Sequence, residues 1–143
     1  MIVPTDGKIR ALKAEIKSAD DGPIRSEADV DFRLVVNSPE PLEARIFIGV
    51  SQGTAFPVFV VSHVTSIPEG DFEIKCRLSH LPLPKGHFSL WCSIDRPPAL
   101  GQEVYLPWQP MISFDAFGVE PRGGPEGVLI MSPVYVRADW EIN

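Results

Sequence analysis

The chain has 143 residues, of which 15 are proline and 11 are glycine, and its formal net charge is −6. Proline is about twice as frequent as its usual share of roughly 5%, and each proline fixes φ and removes a backbone donor, which argues against a helical bundle or a parallel α/β enzyme. Positive and negative residues are interspersed without a basic block, which argues against nucleic acid or an anionic membrane as partner. The length predicts one domain, residues 1–143, with residues 1–7 as a linker or tail.

The predicted elements are short strands. Residues 7–18 fit a helix or a strand, and we favour a strand because an Asp-Asp-Gly turn follows. Apolar and polar side chains alternate with period two in residues 30–36, 45–50, 72–78 and 88–94, as in antiparallel sheets with one buried face. Residues 46–68 carry no formal charge, but their polar middle indicates a turn between two strands rather than a membrane span. The sequence predicts an all-β, antiparallel β-sandwich of immunoglobulin-like or jelly-roll type.

The C-terminal third contains more proline and glycine. We expect residues 105–110, which include Tyr105 and Trp108, to form a proline-rich loop, and residues 121–125 to form a loop or linker. Two final strands are predicted at residues 128–131 and 134–136. The two cysteines, Cys76 and Cys92, have no CxxC spacing and are expected to be buried thiols, with a disulfide as the alternative.

Catalytic motifs are missing from the sequence. His63, His80 and His87 lack zinc-ligand spacing, and neither a G-x-S-x-G elbow nor a G-x-G-x-x-G loop occurs. The alternative is a hydrolase built on scattered acids such as Asp95, Asp115 and Asp139, which could pair in space. The favoured interpretation is a non-enzymatic binding module that needs no cofactor and no metal.

Several aromatic residues lie where the core does not require them. Aromatic rings stack on the C–H faces of sugars, and short polar or charged side chains bind sugar hydroxyls. An outward sheet face that carries aromatic and polar side chains together is therefore typical of a glycan site. The alternative is that a loop or a second subunit covers Trp91. From strand phase, the candidate carbohydrate contacts are Arg45, Phe47, His87, Ser89, Trp91 and Trp108.

The order of four segments resembles the C-terminal domain of Wzt-type proteins, the ATPase subunits of ABC transporters that export O-antigen polysaccharides. These segments are IRALKAEI at residues 9–16 with its Asp-Asp-Gly turn, EADV at 27–30, LPLPKGHFSL at 81–90, and residues 127–141, which begin GVLI and end near Trp140. The chain differs from the family pattern in having Phe88 where Tyr is usual and one more residue between Pro84 and Gly86. No G-x-x-x-x-G-K-[ST] occurs, so the sequence is expected to be the recognition domain of a longer subunit or a free-standing relative.

The resemblance implies a carbohydrate-binding domain that recognises an O-antigen-type polysaccharide. It also implies a cytoplasmic location peripheral to the inner membrane, through an ABC-transporter ATPase domain and a membrane permease. A homodimer is implied as well, and residues 134–136 are a candidate for strand exchange between its subunits. The alternative is an immunoglobulin-like module that binds a protein and no glycan.

Overall fold

The computed structural model describes residues 7–52, 57–118 and 137–143. Within these residues, eight strands and one short 3-10 helix, Pro98–Leu100, account for nearly all regular structure. The strands are β1 Arg10–Ser18, β2 Val30–Ser38, β3 Leu42–Ser51, β4 Pro57–Ile67, β5 Gly70–Ser79, β6 Gly86–Asp95, β7 Val104–Ala116 and β8 Arg137–Ile142.

The strands form two four-stranded sheets with the orders β1-β2-β5-β8 and β4-β3-β6-β7. Every pair of neighbouring strands is antiparallel. The two sheets pack face to face, with β1 next to β7 at one side and β4 next to β8 at the other. The prediction of an all-β antiparallel sandwich is therefore confirmed.

The core lies between the sheets and follows the period-two pattern. In β2, Phe32 and Leu34 are fully buried, and in β3 the same holds for Ile46 and Ile48. The alternate residues point away from the core: those of β2 are half-buried, as are Arg45 and Phe47 of β3. The strand predicted over residues 7–18 is confirmed as β1, and the two strands predicted around the uncharged segment 46–68 are β3 and β4.

Both cysteines are free thiols buried between the sheets, as expected. Cys76 belongs to β5 and Cys92 to β6, and each points inward with the apolar residues of its strand. Burial raises the pKa of the Cys76 thiol to about 12, and the pKa of Cys92 is raised by the same cause. The thiols therefore act as small apolar side chains of the core.

The prediction of a loop at residues 105–110 is wrong, because these residues lie inside β7. Pro107 and Pro110 are compatible with this strand because β7 lies at the edge of its sheet, where a missing N–H disrupts no second ladder. Tyr105 is buried in the core, and its hydroxyl accepts a hydrogen bond of 3.3 Å from Arg96 Nε. Trp108 is held on a strand rather than on a loop.

Some predicted features lie outside the described residues. These are most of the N-terminal tail, the proline-glycine segment 121–125, the strands at 128–131 and 134–136, and the GVLI segment that starts at residue 127. The motif at residues 81–90 is described: Leu81 and Leu83 are buried, and Phe88 stacks on Phe114 with 5.9 Å between ring centroids.

Candidate functional site

Five of the six candidate contact residues share the outer face of the β4-β3-β6-β7 sheet. Strand register aligns Arg45 with Asp95, Phe47 with Ser93, Gly49 with Trp91, and Ser51 with Ser89, while His87 is opposite Asp115. Because side chains alternate along each strand, these rows all lie on the side away from the core. Trp108 joins them from β7. We call this surface the aromatic face; it comprises Arg45, Phe47, Gly49, Val60, Ser62, Val64, His87, Ser89, Trp91, Ser93, Asp95 and Trp108.

The centre of the aromatic face is a pair of stacked tryptophans. The rings of Trp91 and Trp108 have centroids 5.8 Å apart and an interplanar angle of 14°. Trp91 Nε1 donates a hydrogen bond of 2.7 Å to Ser51 Oγ, so its polar edge is satisfied within the protein. Trp108 keeps 38% of its surface exposed. Trp108 therefore presents the accessible ring, and Trp91 supports it from below.

Gly49 makes room for this arrangement. A Cβ atom at Gly49 would lie 2.7 Å from Trp108 Cη2, closer than real Cβ contacts come, and 3.1 Å from Val60 Cγ2, which is tighter than most. The indole of Trp108 thus extends from β7 across β6 to the backbone of β3. Neither Gly49 nor Ser51 was identified from the sequence, although a glycine in the outward phase of a strand is a known signal of close approach.

At one end of the face, Arg45 is held between a carboxylate and an aromatic ring. Its Nη2 lies 3.2 Å from Asp95 Oδ2, and its guanidinium carbon lies 4.6 Å from the centroid of Phe47. A cavity of about 430 Å³ adjoins this pair. It presents both donors and acceptors, and its lining residues are Arg45, Asp95, Arg96, Pro98, Gln102, Glu103 and Val104.

The other end of the face is small and polar. His87 Nδ1 lies 2.8 Å from Asp115 Oδ1, and the hydroxyls of Ser89 and Ser113 are 3.3 Å apart. Asp95 comes eight residues after His87 in β6, which corresponds to roughly 26 Å at about 3.3 Å per residue. The predicted contacts therefore form one long face with two polar ends and the tryptophan pair between them.

The three scattered acids do not share one site. Asp95 and Asp115 lie at opposite ends of the paired strands β6 and β7, and Asp139 belongs to the other sheet, opposite Arg77. Among the described residues, no group of three or more His, Cys, Asp or Glu side chains is arranged to hold a metal ion.

The outer face of the β1-β2-β5-β8 sheet is instead covered by ion pairs. Arg77 Nε lies 2.7 Å from Asp31 Oδ1, and Arg33 pairs with Glu73. These arginines hold the pKa of Asp31 and of Glu73 below the usual range. The central charged side chains of this face are thus paired with one another, so the aromatic face is the better candidate for a ligand site.

Comparisons with known proteins bear on the fold. No family model and no curated protein matches the sequence. Among solved structures, the crystal structure of the C-terminal domain of Wzt matches with a TM-score of 0.64 and 13% identity, covering 91% of this chain and 84% of that one. The chain has the fold of the Wzt C-terminal domain.

The match to the Wzt domain confirms the resemblance found in the order of sequence segments. At 13% identity the likeness establishes the fold and leaves the function of individual side chains to be argued from their geometry. In the part of the chain that the structure describes, no helix is long and apolar enough to cross a membrane.

Proposed function

We propose that this chain is a non-catalytic carbohydrate-binding domain that recognises an O-antigen-type polysaccharide for export by an ABC transporter. The observation that carries the proposal is the fold shared with the Wzt C-terminal domain over 91% of the chain. The aromatic face supports it independently, since stacked aromatic rings flanked by polar side chains suit a sugar polymer.

In this mechanism the exposed ring of Trp108 stacks on the C–H face of one sugar unit. Trp91 keeps that ring in place through the stacking contact and its hydrogen bond to Ser51. Hydroxyl groups of neighbouring sugar units bind the polar side chains around Arg45 and around His87. The length of the face suits several sugar units of an extended chain, and each contact is weak alone.

The partners follow from the same proposal. An ABC-transporter ATPase domain and a membrane permease would place the domain in the cytoplasm beside the inner membrane. Two copies of the domain would bind one polymer more tightly than either copy alone, because the second binding event is intramolecular. Neither a cofactor nor a metal takes part.

The test is a glycan array of O-antigen polysaccharides, followed by titration of each hit while tryptophan fluorescence is recorded. We expect Trp108→Ala to weaken binding at least tenfold, because it removes the accessible ring. Phe117→Ala is the matched control, since Phe117 is also an exposed aromatic but follows the last residue of β7 and lies outside the aromatic face. An array without hits would favour the protein-interaction module instead, and equal affinities for both variants would remove Trp108 from the site.

A further inference from the structure

The cavity at the Arg45 end of the aromatic face has a wall that the chain forms by itself. This wall is the connection from β6 to β7, in which Pro97 fixes its φ angle and the 3-10 helix Pro98–Leu100 follows. Arg96 N donates a hydrogen bond of 2.8 Å to Glu103 O and closes the connection at its base. A wall that is already ordered gives up little conformational entropy on binding. With a volume of about 430 Å³, the cavity is suited to one sugar unit of the polymer.

Both arginines of the cavity are paired with an acid. Arg45 Nη2 lies 3.2 Å from Asp95 Oδ2, and Arg96 Nη2 lies 3.0 Å from Glu103 Oε2. These four side chains keep only 25–32% of their surface exposed, so solvent screens the two pairs less than it screens pairs on an open surface. The hydroxyl of Tyr105 accepts a further hydrogen bond from Arg96. The cavity therefore presents guanidinium and carboxylate groups side by side, with their charges balanced.

Lys8, which contacts the cavity residue Glu103, is also balanced by acids. Its Nζ lies 3.3 Å from Glu103 Oε2 and 3.6 Å from Glu40 Oε1. The whole chain carries a formal net charge of −6, and the sequence outside the described residues holds three acidic residues against one basic residue, Arg122. A long anionic polymer would therefore approach a surface of its own sign.

We propose that this cavity selects an uncharged sugar unit and rejects an acidic one, so that the polymer recognised by the domain is a neutral polysaccharide. This inference rests on the proposed function and names the class of polymer for it. A sugar hydroxyl both donates and accepts hydrogen bonds, so it can bind an arginine and the carboxylate paired with it at the same time. A uronate or phosphodiester group only accepts hydrogen bonds, and its negative charge would lie next to Asp95 or Glu103. To take such a group as a partner, Arg45 or Arg96 would have to give up its own acid.

The glycan array gives the first test of this selection. We expect the O-antigen polysaccharides that bind to be uncharged ones. An array without hits would contradict the proposed function, and the inference with it. A tight hit among polysaccharides that contain uronic acid or phosphate would leave the proposed function intact and overturn the inference alone, so the two failures are distinguishable.

Two derivatives of one hit test the selection with size held constant. The tightest hit is lightly substituted with carboxymethyl groups, which are anionic, or to the same degree with hydroxyethyl groups, which are similar in size and uncharged. At about 20 mM salt we expect the carboxymethyl derivative to bind about fivefold more weakly, or worse, than the hydroxyethyl derivative, because its charge lies close to the acids of the cavity. Equal affinities of the two derivatives would overturn the inference.

Asp95→Asn tests whether the selection resides in this cavity. The substitution keeps the shape of the side chain and removes the acid beside Arg45, so this arginine becomes able to pair with a carboxylate of the polymer. We expect the difference in affinity between the two derivatives to narrow about threefold or more. Glu103→Gln releases Arg96 in the same way and is expected to act in the same direction, so it is the second variant should Asp95→Asn fail to fold.

Asp31→Asn is the matched control. It changes the net charge by the same amount and also releases an arginine, Arg77, but on the outer face of the other sheet. We expect it to leave the difference between the two derivatives unchanged within about twofold. A narrowing as large as that of Asp95→Asn would assign the selection to the overall charge of the chain, and no narrowing in either cavity variant would place the selection elsewhere. Either result would overturn the assignment to this cavity.

Discussion

At the scale of single residues, Gly49 determines where the tryptophan pair can lie. It is the point of β3 over which the Trp108 indole passes, and the carbonyl oxygen of Phe59 lies only 3.1 Å from a Cβ placed there. A side chain at position 49 would meet the backbone oxygen of Phe59 and the ring of Trp108, and the backbone oxygen cannot easily move away. The stacking of Trp108 on Trp91 therefore depends on the absence of a side chain at this position.

Gly49→Ala is expected to displace Trp108 and to lower the free energy of unfolding by about 1–3 kcal/mol, the usual cost of overpacking a tight site. Tryptophan fluorescence should change with it, since Trp108 moves away from Trp91. Urea unfolding followed by fluorescence measures both effects. Ser93→Ala, on the same face, serves as control and should unfold as the unmodified protein does. An unchanged stability and spectrum would show that Trp108 does not rest on Gly49.

The buried thiols permit a second prediction at this scale. Because burial raises the pKa of Cys76 to about 12, the native protein holds almost no thiolate at pH 8. We expect a thiol reagent to modify neither Cys76 nor Cys92 in the native protein and to modify both in denaturant. Since the thiols ionise more readily in the unfolded chain, the folded state should also lose stability as the pH rises above about 9. Rapid modification of the native protein would place a thiol at the surface.

At the scale of secondary-structure elements, the period-two pattern predicted most strands but not β7. For residues 72–78 and 88–94 the sequence alone predicts which side chains point into the core, because apolar and polar residues alternate there without interruption. In β7, Pro107 and Pro110 resemble loop residues, and register shifts interrupt its pairing with β6 between Cys92 and Ile94. After such irregularities strict alternation no longer tells which face Trp108 occupies. Trp108 of β7 contacts Gly49 of β3 across the intervening strand β6. This contact depends on the order of the strands in the sheet, which the sequence pattern does not give.

The β2–β5 pair gives a prediction for pH dependence. Arg77 lowers the pKa of Asp31 in the folded protein, so the folded state releases this proton more readily than the unfolded chain. The resulting stability is present above the unfolded pKa of about 4 and is lost as the pH falls through the lower folded pKa. Because the arginine is partly exposed, we expect Asp31→Asn to cost only about 0.5–1 kcal/mol at pH 7.

Urea unfolding at pH 7 and near pH 2.5 measures this effect. The difference between Asp31→Asn and the unmodified protein should be smaller at the lower pH, because the carboxylate takes up its proton as the pH falls. In an Arg77→Met background the substitution should cost little at either pH, since the partner charge is gone. A cost that is equal at both pH values would assign the effect to packing rather than to the ion pair.

At the scale of the whole molecule, the two outer faces of the sandwich have different chemistry. One carries paired charges such as Arg33 with Glu73, and the other carries the tryptophan pair and the uncharged strand β4. The sequence pattern predicted that one face would be rich in aromatics, since Phe47 and Trp91 fall in the outward phase. It did not predict which strands lie at the edges of the sheets, because that depends on strand order, and strand order is a property of the fold.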